Sequence, residues 1–204
     1  MVKRDHDVNL FASGYSKNSA KLISLVPKAI RVMTDDIGQE KIREAWKYIA
    51  QAKVIEYINL EKFDIIHQHA GWRISPLEHL MNSPVVTTCH SPLIHDVNQV
   101  VYGLYKKNNY ITISNSQQKE FPGLNFLGTV YNGIDINSFL FNNSPENYYA
   151  FLGRMSPEKG PKQAILAAKK AGVRLIMAAK IDSVDEEYYH NEVKPLIDGK
   201  KIQF

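Results

Sequence analysis

The chain has 204 residues, of which 44% are hydrophobic and 23% charged, with a formal net charge of +4. This composition excludes disorder as the main state and leaves room for one large domain or two small ones. A single cysteine, Cys89, excludes a disulfide framework and a four-cysteine zinc site, and no apolar run is long enough to span a bilayer.

Strand and helix signals alternate along the first part of the chain. Short runs of β-branched and aromatic residues predict buried strands, and apolar residues at helical spacing predict helices. Trp46 lies on such an apolar stripe and is predicted to belong to the core. In chain order, the predicted elements are strand 8–12, helix 39–61, strand 63–67, strand 85–88, helix 96–107 and strand 110–113.

A second series of elements follows a break at Asn132-Gly133 and a polar stretch over 142–147. Pro161 suits the first position of a helix and Gly172 suits its end. Ser183 and Glu186 have capping-box spacing, which predicts a helix running toward residue 194. The predicted elements are strand 148–152, helix 161–171, strand 173–178, helix 183–194 and strand 201–204.

Alternating strands and helices predict an α/β fold with parallel sheets. The break divides the chain into two such α/β units, one over residues 1–130 and one beginning over 131–204. Parallel sheets bind ligands beyond the carboxyl ends of their strands. The polar residues predicted at such ends are His67, His69, His90, Ser114 and Arg154.

Both ends of the sequence lack an element that such a domain would need. A first strand with its phosphate-binding turn does not precede residue 8, and no helix follows the last strand. Open parallel sheets expose apolar faces and pairing edges, which is costly. We therefore expect this chain to be part of a longer protein.

The segment 153–161 joins a predicted strand to a predicted helix and carries groups suited to phosphate. Gly153 lets a ligand approach the backbone, and the helix N-terminus offers unpaired N–H groups. Arg154 can bind phosphate oxygens in a bidentate way, and Lys159 adds a second positive charge. The alternative is a solvated loop in which Glu158 pairs with Lys159 or Lys162.

Six segments, taken together and in order, resemble the retaining family 4 glycosyltransferases. Each motif is short, but their common order over nearly the whole chain is specific. The segments are 6–13 (HDVNLFAS), 63–67 (FDIIH), 86–90 (VTTCH), 113–117 (ISNSQ), 131–135 (YNGID) and 153–160 (GRMSPEKG).

The resemblance implies the GT-B fold of two facing Rossmann-like domains, the first on the acceptor side and the second binding the donor. It implies transfer of a sugar from a nucleotide-sugar donor with retention of configuration, without a metal ion and without a cofactor. Gly153, Arg154 and Lys159 match the residues that bind the donor diphosphate. His90 matches a histidine beside the transferred sugar and is the candidate catalytic residue.

The sequence departs from this family in two places. The first strand with its glycine-rich loop is absent, and so is the Glu-x7-Glu motif that contacts the donor nucleotide and sugar. We therefore expect this chain alone to have little or no transferase activity. The alternative is a non-catalytic anion-binding or nucleotide-binding remnant, or half of a split enzyme whose second chain supplies the rest.

Other polar and aromatic residues allow two readings each. His67, His69, His90 and His95 could form a metal site, but a strand end with satisfied imidazoles is favoured. Cys89, beside His90, is expected to be a buried thiol rather than a nucleophile, and Ser114 a helix cap rather than a contact to a ligand. Trp72 is expected either to stack on a sugar or to pack under the following helix.

The expected partners are a nucleotide-sugar donor and a sugar or lipid-linked acceptor. A balance of charges interspersed along the chain favours an anionic small molecule or an acidic membrane surface over a long nucleic acid. One cysteine and an N-terminus without an apolar signal core lead us to expect a cytoplasmic protein. Peripheral contact with the inner face of the membrane stays open.

Overall fold

Every strand pairing within the part of the chain that the computed structural model describes, residues 1–33 and 40–204, is parallel. The fold is therefore mixed α/β with parallel sheets, as predicted. The chain divides into two units, Met1–Ile134 and Asp135–Phe204. The domain boundary between residues 130 and 131 stays a prediction. The acceptor-side and donor-binding roles of the two domains stay predictions.

The first unit contains a two-stranded sheet, β1-β2, and a four-stranded sheet with the order β3-β4-β5-β6. The central strand β4 is buried along its whole length, because it lies between two neighbours in the interior of the sheet. The elements are β1 (Asn9–Ser13), β2 (Lys21–Val26), α1 (Ile30–Met33), α2 (Glu40–Leu60), β3 (Ile66–Gln68), β4 (Val85–Cys89), α3 (Asp96–Leu104), β5 (Tyr110–Thr112), α4 (Asn115–Lys119) and β6 (Phe126–Thr129).

The second unit contains one three-stranded sheet with the order β7-β8-β9. Its helix α5 begins at Pro161 and ends before Gly172, whose φ of 71° suits a residue without a side chain. Both boundaries agree with the prediction. The core joins α5 to the sheet through Met155, Ile165 and Met177. The elements are β7 (Tyr149–Arg154), α5 (Pro161–Ala171), β8 (Leu175–Lys180), α6 (Glu186–Tyr188) and β9 (Ile202–Gln203).

The structure contains two strands, β2 and β6, that the sequence does not predict. Strand β2 pairs in parallel with β1 across only residues 14–20, which is shorter than the usual crossover between parallel strands. Strand β6 contains Gly128, which weakens a strand signal. The strand predicted over 63–67 is also displaced, since β3 begins at Ile66.

The first half of the apolar stripe of α2 is not part of the core, so the prediction for Trp46 is wrong. Ile42 and Ile49 are 51% and 40% exposed, and Trp46 is only half-buried beside them. The same stripe reaches the core only near the end of the helix, at Ile58, which is fully buried. Gln39, the predicted first residue of this helix, lies outside the described residues.

Helix α3 forms as predicted but does not bury its valines. Val97 and Val100 are exposed, whereas Asn98 and Tyr102 are buried. The Asn98 side chain donates a hydrogen bond to the carbonyl of Pro92 at 2.7 Å, which satisfies its buried amide. The burial of polar groups thus sets the orientation of this helix.

The helix predicted from residue 183 is irregular. It begins as a 3₁₀ turn, Ser183–Asp185, passes through α6 and a π-helical turn, Tyr189–Val193, and ends in a second 3₁₀ turn. No side-chain hydrogen bond caps its start, so the predicted capping box is wrong. Among the described residues, no helix combines the length and apolar character needed to cross a bilayer.

Candidate functional site

His90 follows the last residue of β4, at the carboxyl end of the four-stranded sheet. Strand β3 pairs in parallel with β4, so its carboxyl end lies at the same edge. His69 follows this second strand directly. The topology therefore brings together two of the side chains that the sequence predicts at strand ends.

The imidazoles of His69 and His90 are hydrogen bonded to each other. Nδ1 of His69 lies 2.8 Å from Nε2 of His90, and the two rings stack with an interplanar angle of 29°. Both residues are exposed, so the pair is open to solvent. The pair can therefore present hydrogen-bonding groups to a polar ligand.

A third imidazole, that of His67, lies beside this pair. Its Nε2 contacts Oγ1 of Thr88 at 2.7 Å, and its ring centroid lies 4.2 Å from that of His69. Partial burial, together with the charge on neighbouring imidazoles, lowers the pKa of His67 and of His69 below the usual histidine range. These rings therefore favour the neutral state near pH 7.

The three imidazoles do not form a metal centre. Within residues 1–33 and 40–204, no set of three or more His, Cys, Asp or Glu side chains is arranged to hold a metal ion. Cys89 is 1% exposed, and burial raises the pKa of its thiol to about 11. A thiol that stays protonated is a poor nucleophile, which agrees with the predicted buried thiol.

Gln117 holds the backbone on both sides of His90. Its Nε2 donates to the carbonyls of Cys89 and Ser91 at 3.0 and 2.8 Å, and its Oε1 accepts from the N–H of Ile113 at 2.9 Å. The side chain is only 5% exposed. The sequence does not predict this role, because the two carbonyls that Gln117 binds lie more than twenty positions away along the chain.

Ser114 and Trp72 take structural roles. The hydroxyl of Ser114 accepts a hydrogen bond from the backbone N–H of Gln117 at 3.2 Å, which confirms the predicted helix cap. Trp72 packs against the core cluster that contains Cys89 and Tyr102. Its ring also lies 4.4 Å from the guanidinium carbon of Arg73, a cation–π contact.

In the second unit, the turn after β7 has the predicted strand–turn–helix form. Arg154 is the last residue of β7, and the turn Pro157–Lys159 leads through Gly160 into α5. Gly160 adopts a φ of 70°, which lets the chain reverse before the helix begins. No side chain caps the N-terminus of α5, so its first N–H groups point toward this turn without a side-chain acceptor.

Carboxylates surround the guanidinium of Arg154. Its Nη2 forms an ion pair with Glu158, and its Nη1 lies 3.9 Å from Oδ2 of Asp182. Asp182 also pairs with Lys180 at 2.6 Å. The alternative expected from the sequence, in which Glu158 pairs with Lys159 or Lys162, is wrong, because Glu158 pairs with Arg154. Lys162 pairs instead with Glu192 at 2.5 Å.

Both cations of this turn are accessible. Arg154 keeps 45% of its side-chain surface exposed, and Lys159 is also exposed. The pKa of Glu158 lies below its usual range because its own backbone N–H donates to the carboxylate, with help from the charges of Arg154 and Lys159. The carboxylate is therefore ionised at neutral pH and competes with other anions for Arg154.

No curated protein matches this chain. The sequence model of Glycosyltransferase Family 4 matches residues 1–138, which is more than half of the chain and includes the whole four-stranded sheet with its histidines. The chain therefore belongs to glycosyltransferase family 4.

Proposed function

We propose that this chain is the donor- and acceptor-binding part of a retaining, metal-independent glycosyltransferase of the GT-B type, which uses a nucleotide-sugar donor. Membership of glycosyltransferase family 4 supports glycosyl transfer in general. The turn between β7 and α5 is the observation that supports a nucleotide sugar as the donor. It combines a guanidinium, an ammonium group and a helix N-terminus within a few residues.

Gly153, Arg154 and Lys159 bind the donor diphosphate in this proposal. The guanidinium of Arg154 contacts phosphate oxygens, and Lys159 adds charge from the other side of the turn. These cations stabilise the negative charge that develops on the leaving nucleoside diphosphate as the glycosidic bond breaks. The ion pair with Glu158 holds Arg154 at the turn before the donor arrives. Water screens this exposed pair, so a diphosphate can replace the carboxylate.

His90 orients the transferred sugar or the acceptor. It stands at the carboxyl end of a parallel strand, where α/β sheets bind their ligands. Its imidazole offers a donor or an acceptor to a sugar hydroxyl. The acceptor is a sugar or a lipid-linked sugar, and the second case would bring the protein to a membrane surface.

This chain by itself has weak activity or none. No two glutamates in the sequence are separated by seven residues, so the Glu-x7-Glu contacts to the donor nucleotide are not provided by these 204 residues. A second chain that supplies this motif would complete the donor site. The exposed state of both turn cations leaves them available for such a shared site.

Calorimetry with a panel of nucleoside diphosphates tests the diphosphate site. We expect weak binding by the wild type and at least about fivefold weaker binding by Arg154→Ala and by Lys159→Ala, or about 1 kcal/mol each. Lys170→Ala removes the same charge from the other end of α5 and serves as the matched control. Equal binding by all four proteins would remove the turn from the donor site.

A mass-spectrometric transfer assay tests the reaction. We expect no repeated turnover by this chain alone, and turnover after addition of a chain that carries the Glu-x7-Glu motif. Addition of EDTA leaves that turnover unchanged if the reaction needs no metal ion. Repeated turnover by the isolated chain would contradict the expected inactivity, and loss with EDTA would contradict metal independence.

The second candidate function is a non-catalytic module that binds anions or nucleotides. The exposed cations Arg154 and Lys159 favour it, because they can bind an anion while the Glu-x7-Glu contacts are not provided by these 204 residues. Binding of nucleoside diphosphates without turnover, even with the complementing chain present, would favour this module over the enzyme.

A further inference from the structure

The hydrogen bond between His69 and His90 restricts the protonation states of both rings. A neutral imidazole carries one N–H and one bare nitrogen. At 2.8 Å, one proton must lie between Nδ1 of His69 and Nε2 of His90, because two bare nitrogens would repel each other. The state of one ring therefore determines the state of the other.

Two arrangements satisfy this condition when both rings are neutral. If His69 donates, the outer Nδ1 of His90 carries a proton and the outer Nε2 of His69 is bare. If His90 donates, these outer states are reversed. In both cases the pair presents one donor and one acceptor to a ligand.

We propose that His69 is a positioning residue for His90, which fixes the orientation of its ring and couples its protonation to that of a second imidazole. This role rests on the proposed function, in which His90 contacts the sugar or the acceptor. His69 itself acts through His90. Gln117 supplies the complementary restraint on the backbone, since its amide binds the carbonyls before and after His90.

The pair accepts one proton while its hydrogen bond persists. After the first protonation both outer nitrogens are donors and the pair carries one positive charge. A second proton would place N–H groups on both inner nitrogens, which breaks the hydrogen bond. Among the described residues, the charges that act on His69 come from His67 and His90, and both oppose its protonation.

Nuclear magnetic resonance of the full chain with ¹⁵N-labelled histidine tests this arrangement directly. We expect a scalar coupling across the hydrogen bond between Nδ1 of His69 and Nε2 of His90. The coupling disappears in His69→Ala, and the Nε2 resonance of His90 then changes its chemical shift. In His67→Gln, the matched control, the coupling remains, because His67 bonds Thr88 rather than His90.

The variant His69→Asn tests whether another side chain can restore the hydrogen bond to Nε2 of His90. The asparagine amide places a hydrogen-bonding atom near the position of Nδ1, so we expect the Nε2 resonance of His90 to keep its wild-type shift in this variant and to lose it in His69→Ala. Because His69 is exposed, both variants should fold, which circular dichroism checks. An absent coupling in the wild type, or an Nε2 chemical shift of His90 that is identical in the wild type and His69→Ala, would overturn the proposal. Failure of sugar transfer or of diphosphate binding would leave the coupling intact, so the two failures are distinguishable.

Discussion

At the scale of single residues, His90 depends on groups that are remote in sequence. Gln117 and His69 reach it from α4 and from the end of β3. The sequence predicts that His90 and Arg154 lie at the carboxyl ends of strands. It also predicts that Ser114 caps a helix. It does not predict the contacts of Gln117, which only the parallel pairing of the sheet creates.

Replacement of Gln117 by leucine tests its role. The change leaves the carbonyls of Cys89 and Ser91 and the N–H of Ile113 without their partner. We expect the free energy of unfolding to fall by about 1–3 kcal/mol. Urea denaturation measures this value. Gln118→Leu is the control, since its amide binds hydroxyl groups of Thr112 and Thr129 rather than backbone. An equal or larger loss in Gln118→Leu would contradict the role of Gln117.

Glu78 makes stability depend on pH. Burial raises the pKa of its carboxyl above the usual range, while Oγ1 of Thr87 donates a hydrogen bond to its Oε1 at 3.0 Å. The folded state therefore holds this proton more tightly than the unfolded state does. The stability gained from it is complete below the unfolded pKa and is lost as the pH rises through the folded pKa.

Glu78→Gln removes this titration while keeping the shape of the side chain. We expect the variant to gain stability relative to the wild type as the pH rises from about 4.5 toward neutrality, since a neutral amide carries no buried charge. Thermal unfolding of both proteins across this range measures the difference. A difference that does not change with pH, or that changes in the opposite direction, would contradict the assignment.

At the scale of elements, proline and glycine predict where a helix begins and ends. Apolar spacing is less successful at predicting which face of a helix is buried. Helix α5 lies between Pro161 and Gly172 as predicted. The stripes of α2 and α3 predict helices correctly but do not predict which face is buried. Apolar spacing indicates that a helix is amphipathic, but the buried side chains of these helices include Ile58, at the end of its stripe, and Asn98, a polar residue outside its stripe.

Gly160→Ala tests the turn that precedes α5. A side chain at a φ of 70° is strained, so we expect a loss of about 1 kcal/mol in the free energy of unfolding. Gly133→Ala is the control, since a Cβ there meets no atom within 4 Å and its backbone does not adopt a positive φ. Chemical denaturation compares the two. Equal stability of both variants would show that Gly160 is not needed for the turn.

At the scale of the whole molecule, an exposed segment follows the boundary at which the chain divides into two units. Residues 134–148 are exposed and contain only one short 3₁₀ turn, Ile136–Ser138. Within it, Phe139, Leu140 and Phe141 are 64%, 102% and 92% exposed. The sequence predicts this break from Asn132-Gly133 and the polar stretch, although it does not predict that these apolar side chains are exposed.

Limited proteolysis with chymotrypsin tests this division. We expect the first cut after one of Phe139, Leu140 or Phe141, because exposed backbone with large apolar side chains suits this protease. Mass spectrometry of the two fragments identifies the site. First cuts within β4 or β8 would contradict the division into two units.

The central claim is that the turn between β7 and α5 binds a diphosphate. The most direct measurement is a titration of ¹⁵N-labelled protein with a nucleoside diphosphate, followed by the chemical shifts of its backbone amides. We predict that the largest changes occur over residues 153–163 and that Arg154→Ala abolishes them. Largest changes elsewhere, with the amides of 153–163 unmoved, would contradict the claim.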